Sequence, residues 1–345
     1  MLSIAKDDCF FVMETDSIEI QRRLDVIAAK LELGDVEVSK LRRLSGGASH
    51  ETWCFDVADN GFILRRAPGG GGEAKGEHTI SLETEALTIL AAQRLGAPTP
   101  DIVHVCTPED QLGSAFLMRR MAGETIARKI LRNDEFTDAR PKLARQCGEA
   151  LAKIHATSIG ELPALAQSDA IGQLNEYEKI YRRFRPRPIF ELAFKHLRDH
   201  APKLATPALV HGDFRNGNLI IGPEGLRGVL DWELAHIGDP REDLGWICVN
   251  SWRFGETSNP VGGFGALQDM LDGYAEEGGA VFTPAEIKYW EMLGTLKWGV
   301  MCLIMYDAYS TGADPSVERA AIGRRASETE IDLINIFHSL EPVDA

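Results

Sequence analysis

The sequence predicts an α+β fold in which a small five-stranded antiparallel sheet precedes a larger, mainly helical part. Apolar residues recur with period two in five short runs between Val36 and Met121, whereas helical spacing prevails beyond Gly123. A chain of 345 residues can form one or two domains. We therefore expect a helical segment over 1–34, a sheet lobe over 35–121 and a helical lobe over 122–345. A ligand cleft is expected between two such lobes.

The predicted elements of the first lobe follow from local signals. Apolar spacing indicates a helix from Thr15 to Leu33, which Gly34 ends. A second helix, SLETEALTILAAQRLG, stops at Gly96, and the turn ADNG has the signature of a hairpin between two strands. The five predicted strands are Val36–Leu44, Glu51–Val57, Phe62–Arg66, Asp101–Cys106 and Ser114–Met121.

The second lobe is predicted as long helices with a few short strands. Strand-like runs cover Ala208–Val210, Asn218–Gly222 and Leu226–Trp232. The helical patterns cover Asp138–Ala156, Gly263–Glu277, Pro284–Ala308 and Ser316–Leu340.

Composition narrows the classes of function. The formal net charge of −15 argues against a nucleic-acid partner and would suit a cationic substrate. The six cysteines are widely spaced, which disfavours a zinc site and a disulfide framework. The N-terminus has no signal-peptide pattern, and the most apolar helix contains Glu291 and Lys297, so it reads as a core helix and not as a membrane span. We expect a cytoplasmic protein with no membrane partner; its oligomeric state stays open.

Two features of the sheet lobe suggest nucleotide binding. Arg65 on the third strand, held by Glu83 of the next helix, could orient phosphates; the alternative is a solvated Arg and a surface Glu. A glycine-rich turn between the first two strands could bring backbone N–H groups to phosphate oxygens, although an ordinary hairpin turn would look the same. Its residues are Ser45, Gly46, Gly47, Ala48 and Ser49.

The stretch HGDFRNGNLIIGPEGLRGVLDWE carries the strongest chemical signal. Four residues separate Asp213 from Asn218, which is the Asp-to-Asn spacing of the catalytic loop in protein kinases. There the Asp accepts the proton of the attacking hydroxyl and the Asn coordinates magnesium. Asp231 ends an apolar strand and could supply a second oxygen ligand to the same Mg²⁺. The alternative interpretation is that Asp213 and Asn218 only form a turn and that Asp231 only ends a strand.

Residues around this stretch are expected to support it. His211 and Asp239 are predicted to brace the loop, and Arg215 either stays in solvent or reaches the substrate. The acceptor pocket should be built from about 124–205 and 246–309. Within it, YEKIYRRFRPRP places two possible substrate residues, Tyr177 and Tyr181, beside basic residues that either hold an anion or form a solvated helix end.

The chain resembles the aminoglycoside phosphotransferase-like (APH) family of the protein-kinase-like fold, and especially the branch associated with acyl-CoA dehydrogenases. The matching segments run in family order from Val36 and cover nearly all of the remaining chain. They are LSGGASHETW, FILRR, ETEALTIL, GAPTP, FLMRRMAGE, LVHGDFRNGNLII and GVLDWELAHIGDPREDLGW. The pair HGDFRNGN and VLDWE is highly specific to the family.

The resemblance implies a role for each matching residue. Asp213 would be the catalytic base, and Asn218 and Asp231 would be magnesium ligands. The glycine-rich turn would cover the phosphates of ATP. Glu83 would pair with the strand cation, with Glu85 as the second choice. The backbone near Arg119 and Met121, in the hinge 116–121, would hold adenine. Arg65 departs from the family pattern, which has lysine at this position.

The expected activity is transfer of the γ-phosphoryl group of ATP to a hydroxyl of a small molecule. The acyl-CoA-dehydrogenase branch favours a hydroxy-acyl compound or another metabolic alcohol as the acceptor. An aminoglycoside or other antibiotic is the first alternative, and a catalytically dead nucleotide-binding module is the second. A Walker-type NTPase is excluded, because the sequence has no G-x-x-x-x-G-K-[ST] motif.

Overall fold

The computed structural model describes residues 7–33, 37–44, 50–70 and 79–340, with side chains from Asp16 onward. The chain divides into two compact units. One contains the residues up to Arg94 together with Thr99–Ala122, and the other contains Leu95–Pro98 and the residues from Gly123 on.

The first unit contains the predicted five-stranded antiparallel sheet, which is confirmed. The strands are β1 (Ser39–Arg43), β2 (Glu51–Val57), β3 (Asn60–Arg66), β4 (Ile102–Val105) and β5 (Ala115–Arg119). Their spatial order is β1-β2-β3-β5-β4. The second and third strands form the expected hairpin, in which Val57 pairs with Asn60 across a two-residue loop.

Among its described residues, this unit contains the helices α1 (Asp7–Lys30) and α2 (Leu82–Gln93). Helix α1 starts eight residues before the predicted start at Thr15, because the preceding residues are themselves compatible with helix. Its buried residues Ile20, Leu24 and Ile27 pack on a sheet face that carries Phe55 and Leu64. Ser81 is the N-cap of helix α2, and its side chain accepts the backbone N–H of Thr84.

The second unit is mainly helical. Its helices are α3 (Ala127–Arg132), α4 (Arg140–His155), α5 (Ala170–Tyr181), α6 (Pro188–Asp199), α7 (Arg241–Trp246), α8 (Leu267–Glu276), α9 (Pro284–Ser310), α10 (Val317–Gly323) and α11 (Ala326–Leu340). The predicted helix 316–340 is therefore two helices. A Cβ at Gly323 would lie 2.6 Å from the Cβ of Tyr306, so the chain approaches α9 closely at the break.

Two small antiparallel ladders lie within the helical unit. They pair β6 (Ala208–Val210) with β9 (His236–Gly238), and β7 (Leu219–Gly222) with β8 (Gly225–Val229). The predicted strand 226–232 ends earlier, at Val229, because the backbone of Asp231 adopts a left-handed conformation with φ 68°. Among the residues that the structure describes, every helix falls short of the length or apolar character that a membrane crossing requires.

Candidate active site

The loop between β6 and β7 carries the HGDFRNGN motif, and α7 fixes its backbone. The buried carboxylate of Asp243 accepts the N–H of His211 at 2.8 Å and the N–H of Gly212 at 3.0 Å. Gly212 has φ 83°, and a Cβ there would lie 2.5 Å from the carbonyl oxygen of Leu234. Only glycine fits this position without strain. The loop is therefore held by one helix carboxylate and by a close backbone approach.

His211 is a fully buried member of this loop. Its Nδ1 accepts the N–H of Asp213 at 3.2 Å, so its Nε2 carries the proton and donates to the carbonyl oxygen of Leu230 at 3.1 Å. Burial lowers the pKa of His211, which keeps the ring in this neutral form. The side chain thus ties the start of the loop to the strand end that precedes Asp231.

The carboxylate of Asp213 is fixed by three side-chain donors. Trp246 donates its indole N–H to Oδ1 at 2.8 Å, and Asn218 donates its amide to Oδ2 at 2.7 Å. The Nε of Arg215 lies 3.0 Å from Oδ1 and 3.2 Å from Oδ2. The Asp213 side chain nevertheless keeps 15% of its surface accessible. A carboxylate held in this way can accept a proton without first reorganising.

Asn218 and Asp231 lie at the same end of the β7-β8 hairpin. The N–H of Leu230 donates to the carbonyl oxygen of Asn218 at 2.8 Å, which places Asp231 one residue beyond that pair. The amide nitrogen of Asn218 is engaged with Asp213, so its Oδ1 is the atom left for a cation. Amide and carboxylate oxygens are the ligands that Mg²⁺ prefers, and this donor set fits that ion.

A cavity of about 340 Å³ in the helical unit opens onto Asp213. Aromatic side chains form much of its wall: Tyr177, Trp246, Trp252, Phe254 and Trp298. Three cations also line it: Arg215, Lys297 and Arg325. Among the described residues that line the cavity, Asp213 supplies its one carboxylate. The volume suits a small organic molecule with an apolar body.

The cations of the cavity lie against aromatic rings. The guanidinium of Arg215 is 4.8 Å from the ring centre of Trp252, and that of Arg325 is 5.7 Å from the ring centre of Trp298. Arg215 therefore contacts both the carboxylate of Asp213 and the aromatic wall, which favours the second of its two predicted positions, the one near the substrate.

The predicted partner of Arg65 was wrong. Its guanidinium lies 3.4 Å from the carboxylate of Glu85, which is 1% exposed, whereas Glu83 is exposed. The reason is helical geometry, since Leu82, Glu85 and Ile89 share the buried face of α2 and residues two apart point to opposite sides. Arg65 itself is largely buried within the first unit.

The other predicted nucleotide contacts are the glycine-rich turn and the backbone of the hinge. Ser45–Ser49 lie outside the described residues. In the hinge, the N–H of Arg119 donates to the carbonyl oxygen of Asp101 at 2.8 Å, and that of Arg120 donates to Gly61. Of these three consecutive N–H groups, that of Met121 is the one without a partner among the described residues. This pattern favours Met121 over Arg119 as a donor to a ligand.

The two tyrosines of the basic segment have different environments. Tyr177 lines the cavity, but Tyr181 is 1% exposed and packs in the core of the helical unit. Its hydroxyl accepts the N–H of Arg187 at 2.6 Å. Tyr181 is therefore a core residue, and the prediction that it contacts substrate was wrong. Its ring packs against Phe190 and Phe194 of α6.

Two of the five basic residues of this segment form ion pairs with carboxylates. Arg182 contacts Glu178 at 2.5 Å and Glu191 at 2.6 Å, and Arg187 contacts Glu330 at 2.5 Å. These ion pairs favour the interpretation as a solvated helix end over that of an anion site.

Asp239 braces the segment before α7. Its carboxylate contacts the guanidinium of Arg241 at 2.6 Å and accepts the N–H of Ala205 at 3.1 Å. The loop contact itself comes from Asp243, and the ring of His155 donates its Nε2–H to the same carboxylate at 3.1 Å. Asp239 thus supports the helix, and the helix supports the loop.

Trp246, Trp252 and Lys297 were missed as site residues by the sequence reasoning. Tryptophans in apolar segments are typical of cores, and nothing in the local pattern distinguished the one that faces Asp213. Lys297 did leave a signal, because it is the one charged residue in the stretch 292–306 of α9. A charge in such a position usually has a buried partner or a ligand.

One cluster in the first unit has the composition of a metal site. His104, Cys106 and Asp110 bring their ligand atoms within 4.8 Å of one another. Asp110 already accepts from Thr107 N–H at 2.7 Å and lies 2.8 Å from the ring of His104. Burial, followed by the charge of Asp110, raises the pKa of Cys106 to about 12. These contacts stabilise the turn between β4 and β5.

Known proteins have sequences similar to that of this chain. Acyl-CoA dehydrogenase family member 10 of Mus musculus is 29% identical over 220 residues, which cover 61% of this chain and 20% of that protein. The chain spans between 20% and 40% of the length of the curated relatives that it matches.

Solved structures share the fold. A putative aminoglycoside phosphotransferase from Ralstonia eutropha superposes with a TM-score of 0.72 at 17% identity, covering 93% of this chain and 99% of that one. Aminoglycoside phosphotransferase APH(4)-Ia, in a complex with AMP-PNP and hygromycin B, gives 0.59 at 15% identity, with 94% and 99% covered. A sequence model of the phosphotransferase enzyme family (APH) matches residues 40–279, and the chain therefore belongs to that family.

Proposed function

We propose that this protein transfers the γ-phosphoryl group of ATP to a hydroxyl of a small molecule, in a reaction that requires magnesium. The observation that carries the proposal is the carboxylate of Asp213, fixed by Trp246 and Asn218 at the wall of the 340 Å³ cavity. Family membership supports the reaction class. APH(4)-Ia, which shares the fold, was solved with an ATP analogue.

In the proposed reaction, the acceptor hydroxyl lies in the cavity and donates a hydrogen bond to Asp213. Its oxygen forms a bond to Pγ while the bond between Pγ and the β,γ-bridging oxygen breaks, and the hydroxyl proton passes to the carboxylate. ADP leaves with the bridging oxygen. Orientation by Trp246 and Asn218 contributes because a fixed base removes the entropic cost of alignment.

Asn218 Oδ1 and the carboxylate of Asp231 would hold Mg²⁺, which neutralises phosphate charge when bound. Arg65, oriented by Glu85, would bind phosphate oxygens of ATP, and the N–H of Met121 would donate to adenine. The guanidinium of Arg65 presents a planar fork in place of the single ammonium of lysine, so it can contact two oxygens at once.

The lining of the cavity favours a metabolic alcohol with an apolar body, such as a hydroxy-acyl compound, over an aminoglycoside. An aminoglycoside is a polycation, and the one carboxylate among the described lining residues, Asp213, already contacts Arg215 at 3.0 Å, so the lining offers a polycation little attraction. The net charge of −15 favoured a cationic acceptor, but the charges nearest the bound acceptor have the larger effect on which acceptor binds.

The test is a panel of hydroxy acids, hydroxy-acyl-CoA compounds, sugars and aminoglycosides, screened for magnesium-dependent ADP formation. At least one alcohol is expected to increase ADP formation above the ATP-only rate. Replacement Asp213→Ala should abolish that increase while ATP binding, measured by thermal shift, persists. ATP binding without transfer to any alcohol would favour the dead nucleotide-binding module.

A further inference from the structure

Lys297 is a buried ammonium on α9 that lines the cavity next to Asp213. The residue is 9% exposed, and its Nζ donates to Gln173 at 2.7 Å and to Glu242 at 3.0 Å. An ammonium has three N–H donors. The third has no acceptor among the described residues, and the Nζ atom lies 5.4 Å from the ring centre of Tyr177, which also lines the cavity.

The position of Lys297 is fixed before any ligand binds. Glu242 is itself held by Gln173 and by the ring of His236, at 3.1 Å from the latter. Although burial alone would lower the pKa of Lys297, the carboxylate of Glu242 raises it, so the group is charged. An oxygen that accepts the third N–H would gain a charge-assisted hydrogen bond without ordering a flexible side chain.

Trp246 connects this ammonium to the reactive carboxylate. Its indole N–H donates to Asp213, and its ring centre is 5.5 Å from Nζ of Lys297. A molecule packed against this indole would therefore lie within reach of both Asp213 and Lys297. Arg325, the third cation of the cavity, forms an ion pair with Glu328 at 3.0 Å, and its side chain is more exposed than that of Lys297.

We propose that Lys297 determines acceptor specificity by binding a carboxylate or acyl oxygen of an acceptor whose hydroxyl lies at Asp213. This inference rests on the proposed function for its meaning, but it concerns binding and can be tested without turnover. Lys297 is a specificity residue in this scheme and takes no part in proton transfer.

The experiment titrates the full chain with hexanoate and, in parallel, with 1-hexanol, and follows tryptophan fluorescence. The cavity contains Trp246, Trp252 and Trp298, so occupancy should change the emission. Hexanoate is expected to bind more tightly than 1-hexanol. The replacement Lys297→Gln should weaken hexanoate binding about tenfold or more, the size of a lost hydrogen bond to a charged group, and leave the alcohol unaffected.

Controls separate the anchor from a structural role. Lys288→Gln changes a lysine of the same helix that pairs with Glu291 outside the cavity, and it should bind hexanoate as the wild type does. Because Lys297→Gln leaves Glu242 without its cation, the double variant Lys297→Gln with Glu242→Gln removes both charges. It should remain folded, by circular dichroism, and still lose hexanoate selectivity.

Three results would overturn the inference: equal hexanoate affinity in wild type and both Lys297 variants, no saturable response to hexanoate, or loss on Arg325→Gln but not on Lys297→Gln. Failure of the proposed phosphotransferase activity is distinguishable. In that case the acceptor panel gives no transfer while hexanoate still binds through Lys297.

Discussion

Replacing Asp243 by asparagine is expected to destabilise the loop that carries Asp213. The carboxylate is 0% exposed and accepts the N–H groups of His211 and Gly212, at 2.8 and 3.0 Å, on its two different oxygens. Asparagine keeps one acceptor and puts an NH₂ group in place of the other. One of the two backbone donors would then face a donor at a position that is not exposed to solvent.

The magnitude follows from those two contacts. Losing one hydrogen bond to a charged acceptor costs about 1.5–3 kcal/mol, and a buried N–H left without an acceptor costs about 1–3 kcal/mol. We expect Asp243→Asn to lower the free energy of unfolding by about 2–5 kcal/mol, since the two costs partly overlap. The charge that holds the ring of His155 at 3.1 Å is lost as well.

Urea unfolding followed by tryptophan fluorescence measures this difference. Asp269→Asn is the matched control, because Asp269 is exposed on α8 and the same chemical change should alter stability by no more than about 0.5 kcal/mol. A loss below about 1 kcal/mol for Asp243→Asn would refute the assignment of this carboxylate as the brace of the loop, since a single lost bond already exceeds it.

Further predictions concern nucleotide binding, catalysis and pH. Glu85→Gln should raise the KM for ATP about tenfold, by weakening the orientation of the strand cation, whereas Glu83→Gln should leave it unchanged; equal effects would contradict the pairing. Trp246→Phe should lower kcat about tenfold by removing the hydrogen bond to Asp213, and an unchanged kcat would count against that contact. Burial lowers the pKa of His236, but its buried glutamate partner outweighs this and raises it. The stabilisation is therefore complete below the unfolded pKa and is lost as pH rises through the folded one, so the destabilisation by His236→Gln should be larger at pH 5.5 than at pH 9.

The sheet and the main helices could be predicted because each depends on local periodicity. The strands β2 and β3 match their predicted bounds within two residues, since alternation and the turn at Ala58 are short-range signals. The break between α10 and α11 was missed, because it depends on a close approach to α9 that no local pattern encodes. Glu83 was chosen over Glu85 for the same kind of reason: the sequence shows which residues are near in the helix but not which face meets the sheet.

Asp213 and Asn218 were predicted as site residues from their spacing and from the family resemblance, whereas the walls of the cavity were not predicted residue by residue. Asp213 and Asn218 lie on one short loop, so their spacing in sequence limits their distance in space. Trp246 and Lys297 come from two helices further along the chain, and their convergence on Asp213 is a tertiary property. Tyr181 shows the opposite case, a residue near a promising segment whose side chain belongs to the core.

The most direct test of the proposed reaction is ³¹P NMR of the full chain incubated with ATP, Mg²⁺ and an alcohol from the acceptor panel. The expected result is a new phosphomonoester resonance that grows as ADP forms. It should be reduced about 10²–10⁴-fold in Asp213→Asn, the range for loss of a general base. Release of inorganic phosphate alone, or an equal yield of the phosphomonoester in Asp213→Asn, would contradict transfer to an alcohol with Asp213 as the base.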